Sequence, residues 1–142
     1  MHLDIALLKQ QHLAIINASK ALTDLLSESF AVAAPQIGQV RTTLARLIAE
    51  HLKTEEDILH TPLRARKLAA SIPGYAEIAA ETRDLRLRYS AHIGNWPARN
   101  IEKDWRGYAA DARALSNAVT ALAFREEREI YPAAQRLLAD PV

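Results

Sequence analysis

Apolar residues recur along most of this chain at alternating intervals of three and four positions, the spacing of one face of an α-helix. Four such apolar seams can be followed, and prolines fall between them. They predict four long helices at about 3–30, 36–60, 73–94 and 99–131, with short extra helical pieces after Pro62 and Pro132. We therefore expect an all-α protein, an antiparallel up-and-down four-helix bundle that forms a single domain over residues 1–142.

Ionisable residues interrupt each seam at a position where a core residue should lie. They are His12, His51, His92 and Glu126, and the second seam continues through either Thr54 or Glu55. Successive members are separated by 39, 41 and 34 residues, so helices of equal length would return them to a similar height. Burying such groups without partners costs on the order of several kcal/mol. The seams therefore predict one polar layer in which these residues satisfy one another.

The spacing of His51 and Glu55 is typical of a metal site, because residues four apart on a helix share one face. Imidazole and carboxylate ligands suit iron, manganese and zinc. Carboxylates that bridge two ions, with histidines completing each ion, are a usual way for a helical bundle to hold two metals. The alternative is that each histidine pairs locally with its neighbours.

Composition removes several other classes of site and partner. The chain has no cysteine, which excludes disulfides and thiolate ligands. A net charge of +1 without a basic stripe disfavours nucleic acid as a partner, and no apolar run reaches the ~20 residues that span a bilayer. The N-terminal residues do not have the pattern of a signal peptide, so we expect a cytoplasmic protein. No phosphate-binding loop or nucleophilic triad is present, and whether the protein is an enzyme stays open.

Taken together, these residues resemble the hemerythrin-like, or HHE cation-binding, family. The family pattern has a lone histidine on the first and third helices and His-x-x-x-Glu on the second and fourth. The matching residues here are His12, His51 with Glu55, His92, and Leu122 with Glu126. The resemblance implies a helical bundle whose metal ligands are His12, His51, Glu55, His92 and Glu126, holding one or two non-haem iron ions.

Leu122 departs from the family pattern, which places a histidine there. Two ions with water or another side chain in the gap, one ion, or no metal at all are the outcomes that this leaves open. Tyr89 lies one turn before His92 and is a further candidate ligand, although a core tyrosine explains it as well. Glu56 and Glu127 are expected at the surface and are fallback ligands. His60, at the predicted end of the second helix, is explained by a favourable interaction with the helix dipole.

Two functions remain after these exclusions. The first is a non-haem iron protein that binds or senses oxygen, nitric oxide, peroxide or iron itself, because an open coordination position beside Leu122 suits a diatomic ligand or peroxide. The second is a metal-free bundle that acts as an interaction module for a regulatory protein partner in signalling or stress response. The sequence leaves open whether the protein is a monomer or a dimer.

Overall fold

The structure, a computed structural model, describes residues 3–139, and every regular element in that range is helical. The helices are α1 (Ile5–Leu26), α2 (Phe30–Glu55), α3 (Thr61–Ala65), α4 (Tyr75–Asn95), α5 (Ala98–Lys103), α6 (Trp105–Arg125) and α7 (Tyr131–Ala139). A first π segment, Glu56–His60, joins α2 to α3, and a second, Glu126–Ile130, joins α6 to α7. A 3-10 turn at Ala69–Ser71 precedes α4. The expected all-α bundle is confirmed, as are the helical pieces at Pro62 and Pro132.

Side-chain caps set where three of the long helices begin. Asp4, Ser29 and Asp104 each accept a hydrogen bond from the backbone N–H three residues on, which satisfies one of the free donors of the first turn. Because Ser29 is the cap, α2 begins at Phe30, earlier than the start at 36 that Pro35 suggested. Pro35 lies inside the helix, and its missing N–H removes one backbone hydrogen bond near the helix start.

Helix α1 packs along α2 and α6, and α4 packs along α6. Helices α2 and α4 make little contact, and a groove lined by residues of both helices runs along that side. The bundle is therefore closed on three sides and loosest between α2 and α4. No helix in the described range is long and apolar enough to cross a membrane.

The apolar interior consists of two clusters of buried side chains, one toward each end of the bundle. The first cluster contains Leu3, Leu8, Leu59, Leu63, Ile72, Ile78, Ile130, Tyr131, Ala134 and Leu138. The second contains Ile15, Leu22, Leu26, Ile37, Leu44, Ile101, Tyr108 and Ala112. Along α1, His12 lies between Leu8 of the first cluster and Ile15 of the second. A buried polar layer thus separates the two clusters.

Both π segments shift the register of the buried face by one residue. After His51 and Glu55 the next buried position is Leu59, which is 0% exposed, whereas Ile58, expected on the seam, is only half-buried. Proline is the second residue after each π segment. A proline inside an α-helix clashes with the carbonyl four residues before it, and a π bulge relieves that crowding locally. Both long helices therefore continue past the ends predicted at 60 and 131.

Candidate metal centre

Four of the five predicted ligands meet in the polar layer. His12, His51, Glu55 and Glu126 are all buried, and each offers one ligand atom within 4.8 Å of the others. Nε2 of His12 lies 3.2 Å from Oε1 of Glu126, and Nε2 of His51 lies 3.2 Å from Oε2 of Glu55. Helices α1 and α2 and the start of the second π segment supply these side chains.

The tautomer of His51 is set by a chain of hydrogen bonds that begins on α2. Thr54 donates its hydroxyl proton to the Glu50 carbonyl, so its oxygen accepts from the Gln11 amide at 3.0 Å. The other end of that amide, Oε1 of Gln11, then accepts from Nδ1–H of His51 at 2.8 Å. Nε2 of His51 is left with a lone pair, and it is buried without a hydrogen-bond partner. This is the state in which imidazole binds a metal.

His12 is oriented in the same way by a carboxylate. Its Nδ1 donates to Oε2 of Glu127 at 2.7 Å, and its Nε2 lies 3.1 Å from the hydroxyl of Tyr131. Burial and the neighbouring His51 lower the pKa of His12, which favours the neutral ring. Both histidines therefore have Nδ1 engaged outside the cluster and Nε2 directed into it.

The two buried carboxylates have pKa values that move in opposite directions. Burial raises the pKa of Glu126 well above its ordinary value, and the charge of Glu55 adds to that effect. Burial would also raise the pKa of Glu55, but the adjacent side chains of His51, His60 and Glu126 outweigh it and hold that pKa well below the usual range. Tyr131 also donates to Oε2 of Glu55 at 2.5 Å. The pair thus shares one negative charge, with a proton on Glu126.

A small cavity of about 60 Å³ adjoins the four residues. Most of its walls are apolar and come from Ile15, Ile48, Leu52, Leu85, Val119, Leu122 and Ala123. Leu122 therefore lies at the inward position that the seam assigned to it. Tyr89 and Arg86 of α4 line the same cavity and also the groove between α2 and α4, so the cavity borders the loosest side of the bundle.

His92 is not brought into this cluster, contrary to the expected single layer. Its Nδ1 donates to Oδ2 of Asp111 at 2.6 Å, and its ring stacks on Tyr108 in the second apolar cluster. The equal-length assumption fails, because His92 lines a cavity with Leu44 of α2, which lies seven residues, or about two turns, before His51.

Tyr89, one turn before His92, is the α4 residue at the right height. It lines the cavity beside His12 and His51, and its ring centroid is 6.1 Å from that of His92. Burial raises the pKa of Tyr89, which favours the neutral phenol over a phenolate. Its role as a ligand stays a prediction.

Sequence reasoning missed four groups that contact the cluster. His60 is not explained by the helix dipole alone, because its Nε2 lies 3.3 Å from Oε1 of Glu55. Tyr131, Gln11 and Glu127 form hydrogen bonds with the clustered side chains. Glu127 was expected at the surface, yet it accepts the proton of His12. The position of His60 in the sequence could have indicated this contact, because His60 directly follows Leu59, which is buried in the shifted register.

Replacing Asp111 with alanine is expected to lower the free energy of unfolding by about 1 kcal/mol at pH 7, because Nδ1–H of His92 and Nε1–H of Trp96 lose their acceptor. This value is below the usual range for hydrogen bonds to a charged group, because the Asp111 side chain is 45% exposed and solvent screens the interaction. His92, together with Trp96, holds the pKa of Asp111 below its ordinary value. The stabilisation is therefore complete above the unfolded-state pKa of about 3.9 and is lost as the pH falls through the lower folded-state pKa. Urea unfolding of both proteins between pH 3 and 7 measures this; an equal difference at every pH would contradict it.

The chemistry of the four donors fits a divalent transition metal. Metal–ligand bonds of about 2.0–2.2 Å place neighbouring ligand atoms about 3.0–3.5 Å apart, and both N···O separations in the cluster fall in that range. The buried, unpaired Nε2 of His51 is costly in the absence of a ligand, which a cation would remedy. His12, His51, Glu55 and Glu126 are the residues that would hold it.

Comparison with known proteins identifies the family of the chain. No curated protein and no solved structure matched the chain. The model of the hemerythrin HHE cation binding domain matches residues 3–134, which is nearly the whole chain and includes the four clustered residues. The chain therefore belongs to the hemerythrin HHE cation-binding domain family.

Proposed function

We propose that this protein binds non-haem iron in the polar layer and that the iron-loaded form binds oxygen or nitric oxide as a ligand or signal. The observation that carries the proposal is the buried lone pair on Nε2 of His51, held toward Glu55 by the Gln11 contact. Family membership supports a metal in this layer. The choice of iron rests on the two imidazoles and two carboxylates, a ligand set that suits it.

The adjoining cavity supports a small, neutral ligand. A volume of about 60 Å³ holds a molecule of a few atoms. Because the lining is mostly apolar, it offers few hydrogen bonds to a molecule that enters the cavity. A ferrous ion bound by the four residues would supply an open coordination position for a diatomic molecule. Leu122 adds to the apolar lining of the cavity, because its side chain lies where the family pattern has a ligand. Peroxide, which is polar, fits that lining less well.

Leu122 also supports a second candidate function, a metal-free interaction module. An apolar residue at a ligand position extends the core toward the cluster, and Leu122 packs partly against the first apolar cluster. In that case the histidines and glutamates would satisfy one another, as the contacts from His12 to Glu126 and Glu127 partly do. The unpaired nitrogen of His51 favours the metal.

The deciding measurement is the metal content of protein purified without oxygen, with a visible spectrum before and after exposure to air or nitric oxide. We expect at least one iron per chain after reconstitution with Fe(II), and a new visible absorption when either gas is added. Failure to retain iron, manganese or zinc after reconstitution would reject the metal proposal and direct attention to protein partners. Iron without any spectral response to either gas would reject the gas-binding part alone.

A further inference from the structure

The second apolar cluster borders a cavity that has a positive charge on its wall. We call it the Arg41 cavity; its volume is about 170 Å³, and its wall comes from α2, α4 and α6 together with Leu22 of α1. Arg41 supplies the charge, and no aspartate or glutamate in the described range lines the cavity. Charges interact more strongly where water is partly excluded. The Arg41 cavity therefore suits an anion.

Arg41 is fixed in position without an anionic partner. Its Nη2 donates to the carbonyl of Trp96 at 2.9 Å, and its guanidinium carbon lies 5.4 Å from the centroid of the Tyr108 ring. Neither contact neutralises the charge, and no carboxylate within residues 3–139 forms an ion pair with this half-buried side chain. A guanidinium has five N–H donors in one plane, which matches the geometry of a carboxylate. Donors therefore remain for a ligand.

Tyr108 supplies a second donor from the opposite helix, α6. The residue is 0% exposed, and its hydroxyl is buried with no hydrogen-bond partner in the described part of the chain. Burial raises the pKa of Tyr108 to about 12, so the phenol keeps its proton at neutral pH. A buried hydroxyl without a partner is costly. An anion beside Arg41 would give this O–H an acceptor.

The rest of the wall limits the size and polarity of the ligand. Buried apolar side chains form much of it, and buried Ser116 adds a hydroxyl; the apolar residues are Leu22, Leu44, Ala112 and Leu115. A volume of about 170 Å³ equals that of about five or six water molecules in the liquid. One charged group beside apolar surface matches a small molecule with one anionic head and a short apolar tail.

His92 also lines the Arg41 cavity, but it does not bring a negative charge to it. Its Nδ1 donates to Oδ2 of Asp111, and Asp111 is not part of the wall. His92 and Trp96 hold the pKa of Asp111 below its ordinary value, and the charge of Arg88 contributes to this. These groups offset the charge of Asp111, so the charge that faces the cavity is that of Arg41.

The Arg41 cavity has an opening on the loosest side of the bundle. Thr42 of α2 and Ile93 of α4 line it, and both are exposed. A ligand can therefore enter between these helices without unfolding of the bundle. Tyr89 lines both this cavity and the smaller one beside the four clustered residues, so one ring lies between the two.

We propose that the Arg41 cavity binds a short-chain monocarboxylate of the size of acetate or propionate, with the carboxylate between the Arg41 guanidinium and the Tyr108 hydroxyl. The inference goes beyond the proposed function and does not depend on a bound metal. Inorganic oxyanions such as nitrite share the planar, singly charged head. They lack an apolar tail for the leucine-lined wall, which favours the carboxylate.

Titration of the protein with propionate, followed by the NMR shifts of the backbone amides, tests the inference. We expect one propionate per chain with a dissociation constant of about 1 mM or below. Nitrite should bind at least about tenfold more weakly, and the neutral propionamide should not bind, because it lacks the charge that pairs with Arg41. The same titration is repeated with EDTA present and should give the same affinity.

The variants Arg41→Gln and Tyr108→Phe should each weaken propionate binding by at least about tenfold. Tyr108→Phe keeps the ring and removes a hydroxyl that has no partner, so without propionate it should be at least as stable as wild type. Arg46→Gln is the matched control. It removes an exposed arginine of α2 that is paired with Glu50, and it should bind propionate as wild type does.

Unchanged propionate affinity in Arg41→Gln would overturn the inference, as would a lack of binding to wild-type protein, and both results leave the proposed function intact. Propionate binding that is lost in EDTA would assign the carboxylate to a bound metal and overturn the inference. Nitrite that binds as tightly as propionate would overturn the assignment to a monocarboxylate.

Discussion

Replacing His51 with alanine is expected to abolish tight Fe(II) binding, lowering the affinity of the four-residue cluster for the ion by more than about 100-fold. Loss of a group that only orients a ligand costs 10- to 100-fold in metal affinity, and His51 is expected to bind the metal directly. Its Nε2 is the buried donor without another partner, so the remaining residues offer one imidazole and two carboxylates. Competition with a coloured chelator under anaerobic conditions measures the affinity.

His92→Ala is the matched control for this prediction and should retain the wild-type affinity for Fe(II). Under the pattern read from the sequence alone, both histidines are ligands and both variants should lose metal. The structure separates them, because His92 is paired with Asp111 beside Tyr108. Wild-type iron affinity in His51→Ala would refute the proposed metal binding by the four-residue cluster.

Iron is expected to raise the free energy of unfolding by about 2.7 kcal/mol when free Fe(II) is at 100 times its dissociation constant. The reason is that the metal binds residues from α1, α2 and the second π segment, which are brought together only in the folded chain. For a chain of this size, the midpoint of thermal unfolding should rise by about 5–11 °C. Differential scanning calorimetry without oxygen, with and without a chelator, measures the shift.

His51→Ala is the control for this effect as well, since its midpoint should be the same with iron and with chelator. A shift that persists in His51→Ala would show that iron binds elsewhere on the chain. Equal midpoints for wild-type protein in iron and in chelator, at a concentration where binding is measured directly, would contradict the expected coupling of metal to folding.

Helix number, order and the inward faces could be predicted because they depend on periodicity within each segment. Helix ends were less accurate, since prolines were taken as ends. Pro35, Pro62 and Pro132 all lie within helical runs, and the last two are each the second residue after a π segment. The sequence contained a sign of the first π segment. The second seam could be continued through either Thr54 or Glu55, and the helix changes register directly after these two residues.

The polar layer was predictable to the extent that each member lies on its own seam. His12, His51, Glu55 and Glu126 meet because α1, α2 and the second π segment place them at one level. His92 lies outside this group, because its height depends on how far α2 and α3 extend before the chain turns back, which the seam of α4 does not encode. Glu127 was named only as a fallback ligand, and Gln11 and Tyr131 could not have been found, because their roles arise from contacts across the bundle.

The separation of the apolar interior into two clusters has a consequence for how the molecule opens. We expect each cluster to open as a cooperative unit, because the buried polar layer lies between them and bonds to the first cluster through Tyr131. Amide hydrogen exchange should therefore detect two sub-global openings of different free energy, one toward each end. A cation bound between the two clusters would couple their openings, so the binding of a single ion would control how cooperatively a chain of 142 residues unfolds.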